Sequence, residues 1–241
     1  MHLTTRAIVL QNIKYSETSV ICKLFTEQLG VMSYMVNGVR TTKGKSKASL
    51  LQPLTILEVE ATQRDNKNLQ RLKEIKRLQT YTSIPFDIRK SSMAQLMLEV
   101  LSKTLHPHEA NHELFEFVFD SLCFLDETKE LNPDFHLMFL IKLSSYAGFQ
   151  PHGNYTSLTP LFDLKEGAFV STALSGIGAV GNPYSKFISD LTEVNYTESK
   201  PILSNSHERN TLLNYLIMYY KHHIEGLGNL KSPDVLRMVF E

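Results

Sequence analysis

The sequence predicts an α+β chain: a small closed five-stranded β-barrel, then an α-helical bundle carrying a small metal-free hairpin and loop insertion. Three observations carry this reading. Up to about residue 80 the apolar residues come in short β-branched runs separated by polar turns, and beyond Pro85 they recur at helical spacing. The charge changes sign at the same place: residues 1–80 hold thirteen Lys/Arg against six Asp/Glu, and residues 81–241 hold twelve against nineteen. A formal net charge of zero and a pI near 7.1 therefore conceal +7 on the first part and −7 on the second. At 241 residues and 42% hydrophobic content the chain can build two cores, and the expected modules are 1–80 and 81–241.

Residues 6–13 and 19–26 read as the first two strands, joined by the polar turn Lys14 to Thr18. Gly30 opens a third run to Val36, and Pro53 leads into a fourth, Leu54 to Glu60. The fifth, Leu69 to Gln79, is ambiguous. Its leucines recur every three residues as on a helix, whereas alternation puts Arg71, Lys73 and Arg77 on one sheet face. A strand is preferred, because four preceding strands leave an edge that a fifth would close.

Between the third and fourth strands lies Asn37-Gly-Val-Arg-Thr-Thr-Lys-Gly-Lys-Ser-Lys47, with four cations and no acidic residue. Such a segment cannot bury itself, so it is expected to project as a cationic loop for a polyanion. Five short strands with one long polar loop suggest a barrel of the OB type, in which lysines and arginines neutralise phosphates and aromatic rings stack on bases. The candidate DNA-binding residues are Arg6, Lys14, Lys23, Arg40, Lys43, Lys45, Lys47, Arg71, Lys73 and Arg77, with Tyr15 and Tyr34 as candidate stacking residues.

Arg6-Ala-Ile-Val-Leu10, Tyr15-Ser-Glu-Thr-Ser19, Leu24-Phe-Thr-Glu27, Gly30, Gly38-Val-Arg40 and Leu51-Gln-Pro-Leu54 stand in the order and spacing of the RecO family. Tyr146-Ala-Gly-Phe-Gln-Pro151 and the closing Lys231 to Leu236 segment resemble it again. The resemblance implies a DNA repair and recombination mediator that binds single- and double-stranded DNA and anneals complementary strands. It also implies loading of the recombinase RecA onto DNA coated by single-strand-binding protein, whose acidic C-terminal tail and RecR would be protein partners. Many relatives carry lysine where Asn37 stands, and four cysteines in the stretch matching Gln150 to Leu174. This chain has none there, so residues 148–183 are expected to fold without metal.

In the second part Met93, Leu96, Met97, Val100 and Leu101 form one helical stripe, and Asn111 reads as the cap of a helix through Phe115 and Leu122. Asn132-Pro133-Asp134 opens a third helix, apolar nearly all round from Phe135 to Leu143 and so expected at the middle of the bundle. Phe139, Lys142 and Leu143 are its candidate partner groove. Leu212 to Tyr220 and Ser232 to Phe240 read as two more helices.

Two motifs invite other chemistry. His108-Glu-Ala-Asn-His112 matches a zinc-peptidase pattern, but Pro107 and the cap at Asn111 place His108 outside the helix. Gly176-Ile-Gly-Ala-Val-Gly181 matches a dinucleotide fingerprint, but Asn182-Pro183 interrupts the helix that should follow. No nucleophile and base pair stands out, so no enzyme, metal or cofactor is expected. Two distant cysteines, no secretory apolar region and no apolar run of the ~18 residues a membrane span needs point to a soluble cytoplasmic, nucleoid-associated protein. The alternative is a protein-interaction adaptor with the barrel as scaffold.

Overall fold

The computed structural model describes residues 2–39, 45–62, 69–172, 178–195 and 200–240, excluding the side chains of His2, Lys45 and Ser46. The chain forms two compact units, residues 1–82 with 105–123, and residues 83–104 with 124–241. Composition alone drew the boundary near 80 and did not anticipate that 105–123 joins the first unit.

The first unit is built on β1 (His2–Lys14), β2 (Val20–Thr26), β3 (Gly30–Val36), β4 (Ile56–Thr62) and β5 (Leu69–Arg77), closed in the order β1-β2-β3-β5-β4. All pairs are antiparallel except β3 with β5. The alternation of each strand sends Val9, Cys22, Leu24, Met32, Tyr34, Leu57 and Val59 inward to a single core. α1 (Lys45–Leu50) follows the basic segment, and Ala48, Leu50 and Leu51 pack against that core. The segment read as loop throughout therefore ends in a helix that closes the barrel.

Among the described residues, the outer face of β1, β2 and β3 is covered at one end. Ile8, Phe25 and Val31 lie side by side across the three strands and are buried although they point away from the barrel core. Phe115 on α3 (His112–Glu127) packs on Phe25 of this row, the two ring centroids 5.4 Å apart. The preceding turn comes so close that only glycine fits at residue 30. Gly30 has φ +64°, and a β-carbon there would overlap the Glu109 carbonyl. Gly30→Ala is expected to destabilise the first unit by roughly 2–4 kcal/mol, read as a lowered urea midpoint.

The second unit comprises α2 (Ile88–Thr104), the end of α3, α4 (Phe135–Tyr146), α5 (Tyr184–Glu193), α6 (Ser206–His223) and α7 (Ser232–Phe240). It also holds a sheet of β6 (Leu161–Asp163), β7 (Ala168–Val170) and β8 (Ala179–Val180), ordered β7-β6-β8. α4 packs against α2, α5 and α6, the central place that its all-round apolarity demands. Phe139 and Leu143 lie in this core.

Polar pegs hold the helices in register. The Asp134 carboxylate, almost wholly buried, accepts from Ile202 N (2.6 Å), Leu203 N (2.9 Å) and Arg209 Nε (2.6 Å). Glu99 of α2 accepts from Ser232 N at 2.8 Å and so caps α7 from another helix. Burial alone would raise its carboxyl, but the hydrogen bonds from Ser232 and Lys231 hold it below the usual range. Aromatic rings pack the region of the small sheet against α6. Phe149 stacks on His223 at 5.0 Å and meets Tyr220 edge-on at 5.0 Å, while Phe162 sits 5.5 Å from Tyr219.

Candidate nucleic-acid interface

At the other end of the β1-β2-β3 outer face, the described strand residues carry cations and no acids. Across the strands Gln11, Lys23 and Ser33 form one row, and Ile13, Ile21, Met35 and Arg71 the next. Their neighbours Cys22, Leu24, Tyr34 and Val36 fill the core, so these side chains face out. Residues 11–14, 20–24 and 32–36 contain Lys14 and Lys23 and no Asp or Glu. The turn from Tyr15 to Ser19 borders the same end, with Tyr15 60% exposed. Ser19 Oγ donates to Asn37 Oδ1 at 3.0 Å, tying that turn to the start of the basic segment. In OB barrels the outer face of the second and third strands and the turn after the first strand are the usual oligonucleotide surface.

The predicted cations separate into groups. Lys14 and Lys47 are exposed, Lys23 is half-buried on the open face, and Arg71 is exposed at its edge. Arg40, Lys43 and the Lys45 side chain lie outside the described residues. Lys73 is paired with Glu60 at 3.2 Å, on a β4-β5 face that Glu58, Glu60 and Glu74 bring close to neutrality. A bulge there corrects the expected alignment of Arg71, Lys73 and Arg77. Register shifts between Glu60 and Ala61, so Lys73 and Glu74 both face out while Leu72 and Ile75 pack on the core. Lys76, not Arg77, shares the side of Arg71 and Lys73, and Arg77 turns to the Ser49 carbonyl of α1 at 3.4 Å.

Arg6 is a second correction. Its Nε donates to Glu27 Oε2 at 2.8 Å, its two Nη groups donate to Glu116, and its guanidinium lies 5.3 Å and 5.2 Å from the Phe115 and Phe119 ring centroids. Hydrogen bonding to Glu27 raises its already high pKa further. A phosphate would have to displace two carboxylates, so Arg6 clasps α3 to the barrel. Tyr34 is a third: it is fully buried in the core, where burial pushes its hydroxyl up to about 12, and no base can reach it.

His112 Nδ1 is 3.2 Å from Glu27 Oε1, and Glu27, His112 and Glu116 bring ligand atoms within 4.8 Å of one another. Arg6 already pairs with both carboxylates, so a cation would compete with an occupied ion pair. His108 stands outside α3 at φ +63°, while Asn111 Oδ1 accepts from Leu114 N at 2.9 Å, as expected of the cap. In the glycine motif Ala179–Val180 is a strand paired with β6, and the helix α5 starts only at Tyr184.

The clasp makes the first unit pH-dependent. The hydrogen bond from Arg6 holds the Glu27 carboxyl below its ordinary value, against the opposing effect of burial. Stability from this group is present above the unfolded pKa of about 4.3 and is lost as pH falls through the lower folded value. Urea unfolding followed from about pH 6 to pH 3 should show midpoints falling below about pH 5, and Glu27→Gln should flatten that fall.

In the second unit a groove of about 490 Å³ runs between α4 and the end of α5, lined by Met138, Ile141, Lys142, Pro151, Leu191 and Val194. Lys142 lies beside an apolar groove, as the sequence suggests, but Phe139 and Leu143 do not line it and are core residues. Their spacing of three and four residues put all three together on paper, and the all-round apolarity of α4 hid which side was open.

Residues 1–81 match the family model described as Recombination protein O N terminal, and residues 85–173 match Recombination protein O C terminal. "DNA repair protein RecO" of Flavobacterium psychrophilum is 34% identical over 241 residues, covering 100% of both chains. The proteins of that name from Flavobacterium johnsoniae and Bacteroides fragilis are 34% and 33% identical over 100% and 98% of both chains. The chain belongs to the RecO family. It is thus one of a family of DNA repair and recombination proteins, with the barrel in the N-terminal match of RecO and α2 to β7 in the C-terminal one. Among the described residues, no helix is long and apolar enough to cross a membrane.

Proposed function

We propose that this chain is a recombination mediator without catalytic chemistry of its own. It binds single- and double-stranded DNA through the barrel, anneals complementary strands and helps load RecA onto DNA coated by single-strand-binding protein. The observation that carries the reading is the outer strand face holding Lys23 and Arg71, where the described residues of β1, β2 and β3 at that end carry no acid, beside the exposed Lys14 and followed in the sequence by a basic segment with Arg40, Lys43, Lys45 and Lys47. Two strands gathered there have their phosphate repulsion screened by the same cations, and base pairing between them supplies the sequence selection. Such work belongs with the nucleoid in the cytoplasm.

An adaptor role for the helical unit is favoured by the groove beside Lys142. An acidic peptide ending in apolar residues matches it in kind, with Met138, Ile141 and Leu191 as floor and the ammonium group at the rim. The C-terminal tail of single-strand-binding protein has that character. RecR is the second protein partner that this reading carries, with no surface assigned to it.

The test is annealing of complementary strands pre-coated with single-strand-binding protein, with wild-type protein and Lys142→Glu side by side. Wild-type protein should anneal both coated and naked strands. Lys142→Glu should keep naked-strand annealing and lose most activity on coated strands. Equal activity of the two proteins on coated strands would remove Lys142 from the tail site. Failure of wild-type protein on coated strands would remove the mediator reading.

A further inference from the structure

Resting on the reading of the groove beside Lys142 as a peptide site, we infer that Tyr219 and His223 of α6 are positioning residues for that groove, holding from outside it the short strap that forms part of its wall. Most of the groove is lined by helix, with Ile141 and Lys142 on α4 and Leu191 on α5. Gln150 and Pro151 also line it, and they belong to no helix or strand. A helix keeps its shape through its own ladder of hydrogen bonds. A strap stands only where its neighbours hold it.

The strap is pinned on both sides of these two residues. Before them, Phe149 N donates to Ser144 O at 3.0 Å, and Tyr219 Oη donates to Phe149 O. The Phe149 ring lies parallel to that of His223 at 5.0 Å and edge-on to that of Tyr219 at 5.4 Å. After them, His152 N donates to Gly167 O at 2.9 Å and His152 O accepts from Phe169 N at 3.1 Å, which ties the strap to β7 and the turn before it. That hairpin is seated on the same two side chains of α6. Phe162 meets Tyr219 at 5.5 Å, His223 Nε2 is 3.2 Å from Leu164 O, and a β-carbon on Gly167 would stand 3.1 Å from the Tyr219 hydroxyl. Tyr219 and His223 thus touch the start of the strap and also the hairpin that holds its end.

Both side chains are in the protonation state that this contact requires. Burial pushes the Tyr219 hydroxyl above its ordinary range, so it keeps its proton and donates it to Phe149 O. Burial holds the His223 ring below the usual histidine range, so it is neutral at neutral pH. A carbonyl only accepts, so the single ring N–H is on Nε2, directed at Leu164 O. The arrangement also gives the small sheet a role. None of the groove's lining residues belongs to β6, β7 or β8, yet the sheet carries the end of the strap that does line it. A peptide bound beside Lys142 would rest on a wall whose position is set on α6, and loosening that anchor should weaken binding while every lining residue is retained.

The test is a double-mutant cycle on the full chain, read as affinity for a fluorescein-labelled peptide carrying the C-terminal tail of single-strand-binding protein. Tyr219→Phe keeps the ring and removes the donor to Phe149 O. It should bind the peptide roughly fivefold more weakly, the size expected for one lost hydrogen bond. His223→Ala should weaken binding about tenfold, and His223→Phe, which keeps a ring against Phe149, should recover part of that loss. Pro151→Gly loosens the wall directly and should weaken binding by a similar factor. Added to Pro151→Gly, Tyr219→Phe should cost less than about twofold more, because the wall it positions is already loose. Naked-strand annealing should be unchanged in Tyr219→Phe and His223→Ala, whereas Lys142→Glu should lose the peptide. Wild-type peptide affinity in Tyr219→Phe and His223→Ala, or losses that multiply in full with Pro151→Gly, would overturn the positioning role and leave the groove reading standing. No peptide binding by wild-type protein, or full binding by Lys142→Glu, would overturn both.

Discussion

Changing Arg40, Lys43, Lys45 and Lys47 together to alanine is expected to weaken binding to a single-stranded oligonucleotide by on the order of 10²-fold at physiological salt. Each phosphate contact on a single strand adds about 0.7 to the slope of log affinity against log salt, which is roughly fourfold in affinity per contact at ~0.15 M. Four contacts multiply to that figure and should reduce the slope by about 3. Lys47 is exposed on α1, the helix that closes the barrel through Ala48, Leu50 and Leu51. None of the four changes touches those core residues, so the unfolding midpoint should hold. Unchanged affinity would move the phosphate contacts to Lys14, Lys23 and Arg71 on the strands themselves.

The second large effect is on stability. Asp134→Ala should cost the helical unit about 3–5 kcal/mol and lower its melting temperature by on the order of 10 °C. Asp134 is fully buried and receives three donors, two of them the backbone N–H groups of Ile202 and Leu203. Removing the carboxylate leaves those groups without their acceptor and leaves Arg209, whose side chain is 12% exposed, with a buried unpaired charge. The adjacent His136 cannot take the role: burial and then the nearby Arg209 charge push its ring down to about 3, so it stays neutral. Calorimetry of the full chain measures the shift. A change under about 1 kcal/mol would mean that water reaches Arg209 and relieves it.

Local rules made much of the fold legible. The β-branched runs gave four barrel strands, the open edge they left argued for the fifth, and Asn111, whose side chain accepts from Leu114 N, marked the start of α3. What stayed hidden depends on contacts far apart in the chain. Lys45–Leu50 has no apolar period of its own, and its helix owes its place to Ala48 and Leu50 meeting the barrel core. The cap on α7 comes from Glu99, more than a hundred residues earlier, so Ser232 and Pro233 gave the position but not the mechanism. α5 begins directly after Pro183, a helix that the sequence reading did not name.

The candidate site divided in the same way. Exposed cations on strands could be counted from the sequence, but their partners could not. Arg6 reads like any other barrel arginine until Glu116 arrives from α3, and Lys73 until the bulge sets it beside Glu60. Conversely, Lys142, a lone cation on an apolar helix, lines a groove, whereas Phe139 and Leu143 lie in the core, a division hidden because α4 is apolar on every side.

The most direct measurement of the central claim is the affinity of the full chain for a single-stranded oligonucleotide as a function of salt. With about five to eight phosphate contacts, log affinity should fall linearly with log salt with a slope near −3.5 to −5.5 between ~50 and ~200 mM. A binding isotherm that does not move over that range would contradict a barrel that holds DNA by its phosphates.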